Sequence, residues 1–162
     1  MHTRKTRKNN TKNQMRRAIA VLLVAGSVFA APAFAGESHF IKIVSHRPFS
    51  GTVRALKEAA ARNNMKVMAR VNQSKVLAMT GHGLQGEAFL IGNPVMGKKA
   101  FSVNLAAGAV LPARMYVWTQ GAHTYVGYFE PSSLLTQISP GLRMMGGILD
   151  KKFATVARQA TE

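Results

Sequence analysis

The first 35 residues of this chain carry seven of its 22 basic residues and none of its six acids, in an order that withholds them from any fold. A basic stretch ends at Arg17, an apolar run follows from Ala18 to Ala31, and Pro32 precedes the small-residue triplet Ala33-Phe34-Ala35. This is the three-part layout of a secretory signal peptide cleaved after Ala35. The basic end stays in the cytoplasm, the apolar middle enters the translocon, and the small side chains at 33 and 35 fit the peptidase. The apolar run is short for a membrane span and is interrupted by Gly26, Ser27 and Pro32, which argues against a retained anchor. The sequence thus predicts that residues 36–162 form one folded domain, periplasmic after export and without a stable membrane span. That length is enough for a core of its own.

Removing the leader also changes the meaning of the charge. The whole chain is formally +16, but residues 36–162 hold fifteen basic and six acidic side chains, a net +9. For an exported domain that balance suits anionic lipid, wall polymer, an acidic envelope protein or a small anion. The cations are scattered, with only Lys98-Lys99 and Lys151-Lys152 adjacent, and no aromatic-interleaved basic motif is present, so nucleic acid is not an expected partner. The chain has no cysteine, which excludes disulfides, Cys-ligated zinc, iron–sulfur clusters and thiol nucleophiles.

Short elements alternate along the rest of the chain. His39 to Val44 reads as a strand ended by Pro48, and Ser50 is placed to cap a helix running to about Asn63. In that helix Phe49, Val53, Leu56 and Ala60 recur at helical spacing. Asn63-Asn64 tolerates a left-handed turn. Met65 to Val71 then alternates, with Val67, Ala69 and Val71 opposite Lys66, Met68 and Arg70, as in a half-buried strand. Ser74 to Thr80 predicts a short helical connection closed by Gly81. Ala88-Phe89-Leu90-Ile91 predicts a central strand covered on both faces, broken by Gly92-Asn93-Pro94. Lys98 to Ala107 reads as a partly helical excursion. Arg114 to Thr119 and Thr124 to Phe129 read as a hairpin about Gln120-Gly121-Ala122-His123, with Pro131 ending the second strand. The tail is helical, with Leu142, Met145, Leu149, Phe153 and Val156 on one face and Gly146-Gly147 expected to kink or delay it. The pattern predicts an α+β domain of two layers, an antiparallel sheet of about five strands with two main helices on one face.

Several of these residues also carry a family resemblance. They are the helix ending Leu-Lys-Glu-Ala at 56–59, the segment Glu87 to Gly97 with Gly92-Asn93-Pro94, and Leu111-Pro112-Ala113-Arg114 leading into a hairpin that ends at Tyr128. In this order the chain resembles the domain of unknown function 302 family from about Phe40 to Leu135. The resemblance implies a compact β-α-β(4)-α-type fold, often dimeric, and no established activity. Ile91 stands where that family usually has Phe, and Lys98 where Thr is common, so a ligand assumed from relatives does not carry over.

Residue chemistry gives catalysis no foothold. His39, His46, His82 and His123 are isolated and form no metal-binding spacing, so neither a metal site nor a cofactor is expected. His82 is five residues before Glu87, and Glu87 and Glu130 stand near strand ends, yet a turn carboxylate more often bonds backbone amides than acts as a base. No serine sits in a nucleophile elbow. Met65 and Met68 have opposite strand parity, while Met115 and Met145 fall on apolar stripes, which argues against a copper site. The strongest candidate is the turn Gly92-Asn93-Pro94 with Gly97, Lys98 and Arg114. Gly97 would allow close approach and a positive φ, exposed amides would hold an anion, and Lys98 and Lys99 would meet its charge. The sequence therefore predicts an exported, non-enzymatic binding or interaction module for a small anion or an envelope protein, with a homodimer compatible. The competing readings are an enzyme using Glu87, His82 or Asn93, and a basic protein adhering to anionic lipid or polymer.

Overall fold

The computed structural model describes residues 39–162; the expected signal peptide, 1–35, lies outside the described residues. Strands β1 (Phe40–Ser45), β2 (Lys66–Asn72), β3 (Gly86–Gly92), β4 (Ala113–Gln120) and β5 (His123–Phe129) form one antiparallel sheet in the order β1-β5-β4-β3-β2. The long helices α1 (Phe49–Arg62) and α5 (Arg143–Thr161) pack together on one face, and the short helix α2 (Gln73–Ala78) joins β2 to β3. Leu56 and Ala60 of α1 and Leu149, Phe153 and Val156 of α5 meet Phe89, Met115, Val117 and Val126 of the sheet in a single core. The α+β reading is thus borne out, as is burial along β3, which runs between β2 and β4.

Local chemistry explains most boundaries. Asn64 takes the left-handed turn into β2 at φ 54°. Gln120 pairs with His123, so the hairpin loop is only Gly121-Ala122, and Gly121 supplies the positive φ of 60° that a two-residue turn requires. Helix α1 begins one residue before the expected cap. Pro48 precedes it, the Pro48 carbonyl accepts from the Thr52 N–H at 2.9 Å, and no side chain caps its start.

Three expectations need correction. Strand β2 does not alternate throughout, because its register shifts between Val67 and Ala69. The extra residue there, Met68, turns every later side chain to the opposite face. Val67 therefore joins the core, whereas Ala69 and Val71 point away from it and Arg70 points towards it. Second, Pro131 does more than end β5, since it is the first residue of α4 (Pro131–Ile138), where proline's missing N–H costs nothing. Third, α5 begins before Gly146-Gly147 and runs through both, so the expected delay is absent. A Cβ at Gly146 would stand 2.5 Å from the Ser132 Cα, so this glycine is what lets α5 lie against α4. Asp150, one turn further on, accepts from the Ser132 N–H at 2.9 Å and holds the start of α4.

Candidate functional site

The end of β3 carries the expected site. Gly92 closes the strand, Asn93 caps a helix, and Pro94 is the first residue of that helix, α3 (Pro94–Val103). An asparagine cap followed by proline is a helix-start signal, and the helix begins four residues earlier than the excursion expected from Lys98. A 3-10 segment, Leu105–Ala109, then returns the chain to the cis Leu111–Pro112 bond that precedes β4. Pro112 lies over Gly92, where a Cβ would come within 3.0 Å of the proline Cβ, so Gly92 is required by close approach.

Between these segments opens a cleft of about 630 Å³, inside the usual range for small-molecule sites. Gly92, Asn93, Pro94, Gly97 and Lys98 all line it, together with Met68, Met96, Phe101, Leu111 and Leu149. Five of the six residues singled out in the sequence are therefore brought together. The sixth, Arg114, is not among them. It alternates with Ala113 and Met115 on β4 and so faces the other side of the sheet, where it borders a shallow hollow of about 210 Å³.

The chemistry of the cleft differs from the anion nest expected of the turn. Asn93 Oδ1 accepts from the N–H groups of Val95 (2.9 Å) and Met96 (3.1 Å), and the Asn93 carbonyl accepts from Gly97 N–H at 2.9 Å. Pro94 has no N–H to offer. The amides of this turn are consumed by its own cap. Nor does Gly97 have a positive φ: it is a helical residue, and a Cβ there would meet no atom within 4 Å. Its smallness widens the cleft. What remains for a ligand is an apolar wall with two adaptable thioethers, Met68 and Met96, and the exposed cation Lys98.

The arrangement of this sheet and its helices has relatives. Residues 41–158 match the sequence model described as Domain of unknown function DUF302. The chain belongs to the DUF302 family. A crystal structure of an uncharacterized conserved DUF302 protein from Bacillus stearothermophilus is similar to it with a TM-score of 0.71 at 18% identity, covering 75% of this chain and 97% of that one. At that identity the likeness is one of fold. No curated protein matches the chain.

Elsewhere in this DUF302 domain the candidate acids and bases are already engaged or apart. Glu87 is buried, and its carboxylate receives Arg70 Nε at 2.6 Å and Nη2 at 2.5 Å. That hydrogen bond is the main reason the Arg70 pKa is raised. Glu130 Oε2 accepts from His39 Nδ1 at 3.1 Å in the tautomer that carries the proton on Nδ1. His82 is exposed in the loop before β3. Met65 and Met115 are core residues, and Met68 alone of that group reaches the cleft. Among the described residues no three His, Asp or Glu side chains gather as a metal site, and no helix is long and apolar enough to cross a membrane.

Proposed function

We propose that this DUF302 protein is an exported, non-enzymatic binding module whose cleft takes a small amphiphile, a molecule with an apolar body and one anionic end. Export rests on the leader at 1–35. The observation that carries the ligand class is the lining of the cleft: carbon-rich side chains on β2, β3, α3, the 111–112 segment and α5, with Lys98 the one titratable residue among the described residues that line it. Burying apolar surface gives such a site its affinity, at about 25 cal/mol per Å² before the costs of association. An ammonium on a flexible stem then favours an anionic end without demanding one geometry. Catalysis would need paired acid, base or nucleophile groups beside the ligand, and among the described lining residues Lys98 has no His, Asp, Glu, Ser or Tyr to work with.

Laurate and the uncharged dodecanol are suitable probes, followed by isothermal calorimetry. Wild type should bind laurate more tightly than dodecanol. Gly97→Leu should fill the cleft, weaken both probes more than about ten-fold, and leave the melting temperature unchanged or raised, since leucine is the better helix former. Lys98→Thr should weaken laurate by no more than about five-fold, as an exposed charge does, and should reduce its salt dependence. No binding of either probe, or full binding by Gly97→Leu, would overturn the assignment.

A further inference from the structure

Arg114, left out of the cleft, belongs to a second surface. The strand residues that point away from α1 and α5 include Phe40 and Lys42 of β1, Tyr125 and Phe129 of β5, and Arg114, Tyr116 and Trp118 of β4. Their rings are shingled across the strands. Tyr116 and Trp118 stack at 5.3 Å with an interplanar angle of 12°, and Trp118 and Tyr125 stack at 5.3 Å with 25°. Phe40 lies 5.1 Å from Phe129. The rings lie down on the sheet because two glycines leave room beneath them. A Cβ at Gly127 would come within 2.7 Å of Phe40 Cζ and 2.8 Å of Trp118 Cζ3, and one at Gly86 would collide with the Tyr116 hydroxyl. Aromatic rings lying flat expose their faces. Half of Phe40 and 45% of Phe129 remain open to solvent.

The hollow lies at one end of this platform, between Phe40, Tyr116 and Phe129 and over Ala88 and Gly127. Arg114 and Gln73 border it, and neither side chain has a hydrogen bond or ion pair among the described residues. Lys42 lies 4.0 Å over the Tyr125 ring. No strand residue on this face is Asp or Glu, and Glu130, which follows Phe129, is held by His39. The face thus offers ring surfaces, hydrogen-bonding groups and uncompensated positive charge, but no deep pocket.

We propose that this face is a second binding site, for a chain of acidic sugars. A sugar ring presents C–H surface that an aromatic face accepts, and its hydroxyls need shallow polar contacts such as Gln73 and the Tyr116 hydroxyl supply. The planar guanidinium of Arg114 fits a sugar carboxylate in two parallel hydrogen bonds. Rings that continue from the hollow through Tyr116 and Trp118 to Tyr125 match successive sugar units better than one isolated molecule. A single-stranded nucleic acid would also stack, but it calls for a groove of cations along its phosphates, and this face has Arg114 and Lys42.

Trp118 is the chain's only tryptophan, so its fluorescence reports this surface alone. Titration with polygalacturonate should change that emission saturably, and the neutral methyl ester should bind at least five-fold more weakly. Arg114→Gln, an exposed substitution, should lose about ten-fold in affinity, the worth of one charge-assisted contact. Lys98→Thr should leave the titration unchanged, which separates this site from the cleft. Four results would overturn the proposal: no emission change, an undiminished titration in Arg114→Gln, an equal response to oligothymidylate, or a stable dimer in sedimentation that Phe129→Asp dissociates, since a second copy would then cover the platform.

Discussion

The two faces of the sheet are cut from the same five strands and are about equally apolar in sequence, yet they have opposite fates. On β4, Met115 and Val117 point under the helices and are fully buried, while Tyr116 and Trp118, one residue out of step, stay partly exposed. The covered face is mainly aliphatic and sulfur-containing, shapes that interlock with α1 and α5; the open face is mainly aromatic and lies flat on glycine. Apolar alternation alone does not say which side is dry. The helices that arrive decide it, and a face without them keeps apolar groups only where they can serve contact with something else.

The contrast is broken or sharpened most strongly at the two phenylalanines. Phe89→Ala on the covered face should cost about 3–5 kcal/mol, as removal of a buried ring does, enough to threaten a domain of ordinary stability. Phe129→Ala on the open face should cost less than about 1 kcal/mol. Denaturant titrations of both would show it, and equal losses would mean that the open face is also packed. A smaller contrast is set by two glycines with similar crowding. At Gly146 the obstacle is the backbone of Ser132, which cannot swing aside, so Gly146→Ala should destabilise by about 1–3 kcal/mol despite alanine's better helix propensity. At Gly127 the obstacles are ring ends of Phe40 and Trp118. Gly127→Ala should therefore change stability by less than about 1 kcal/mol while shifting Trp118 emission as the rings lift. Similar melting temperatures for the two variants would put the rigidity in the wrong layer.

The smallest effect concerns pH. Burial, reinforced by Glu130 and Asp150, pushes the Tyr128 hydroxyl up to about 12, against an ordinary value of about 10. The folded protein keeps this proton where the unfolded chain has lost it. Its contribution is whole below about pH 10 and disappears as pH rises towards 12. Tyr128→Phe should flatten the fall of melting temperature across that window, and an unchanged fall would place its source elsewhere.

Much of the covered layer was legible in the sequence because its residues repeat at the spacing of their own element: Val53, Leu56 and Ala60 in α1, Leu149, Phe153 and Val156 in α5. The turn at 92–94 was legible too, as punctuation. Its neighbours were not, since Met68, Phe101, Leu111 and Leu149 come from separate elements and meet only in the folded chain. Helix α4 was missed because proline reads equally as an end and as a beginning. The aromatic platform had a signal in Tyr116 and Trp118, two residues apart, and in Tyr125 and Phe129, four apart, but the residues between them are apolar as well, so the two faces could not be told apart.

The shift at Met68 has a consequence for how this chain can change over time. A strand normally has one rhythm, and a substitution anywhere along it answers to the same neighbour. Here the two parts of β2 answer to different ones: Val67 to the core, Ala69 and Val71 to the open face, and Arg70 to Glu87. Each part is free to drift at its own pace. Loss of Met68 alone would restore one rhythm without turning a side chain over, because Val67 and Arg70 would still face inward and Ala69 and Val71 outward. Smoothing the bulge with Met68 retained would instead turn Ala69 and Val71 inward in place of Arg70, and Glu87 would lose its partner.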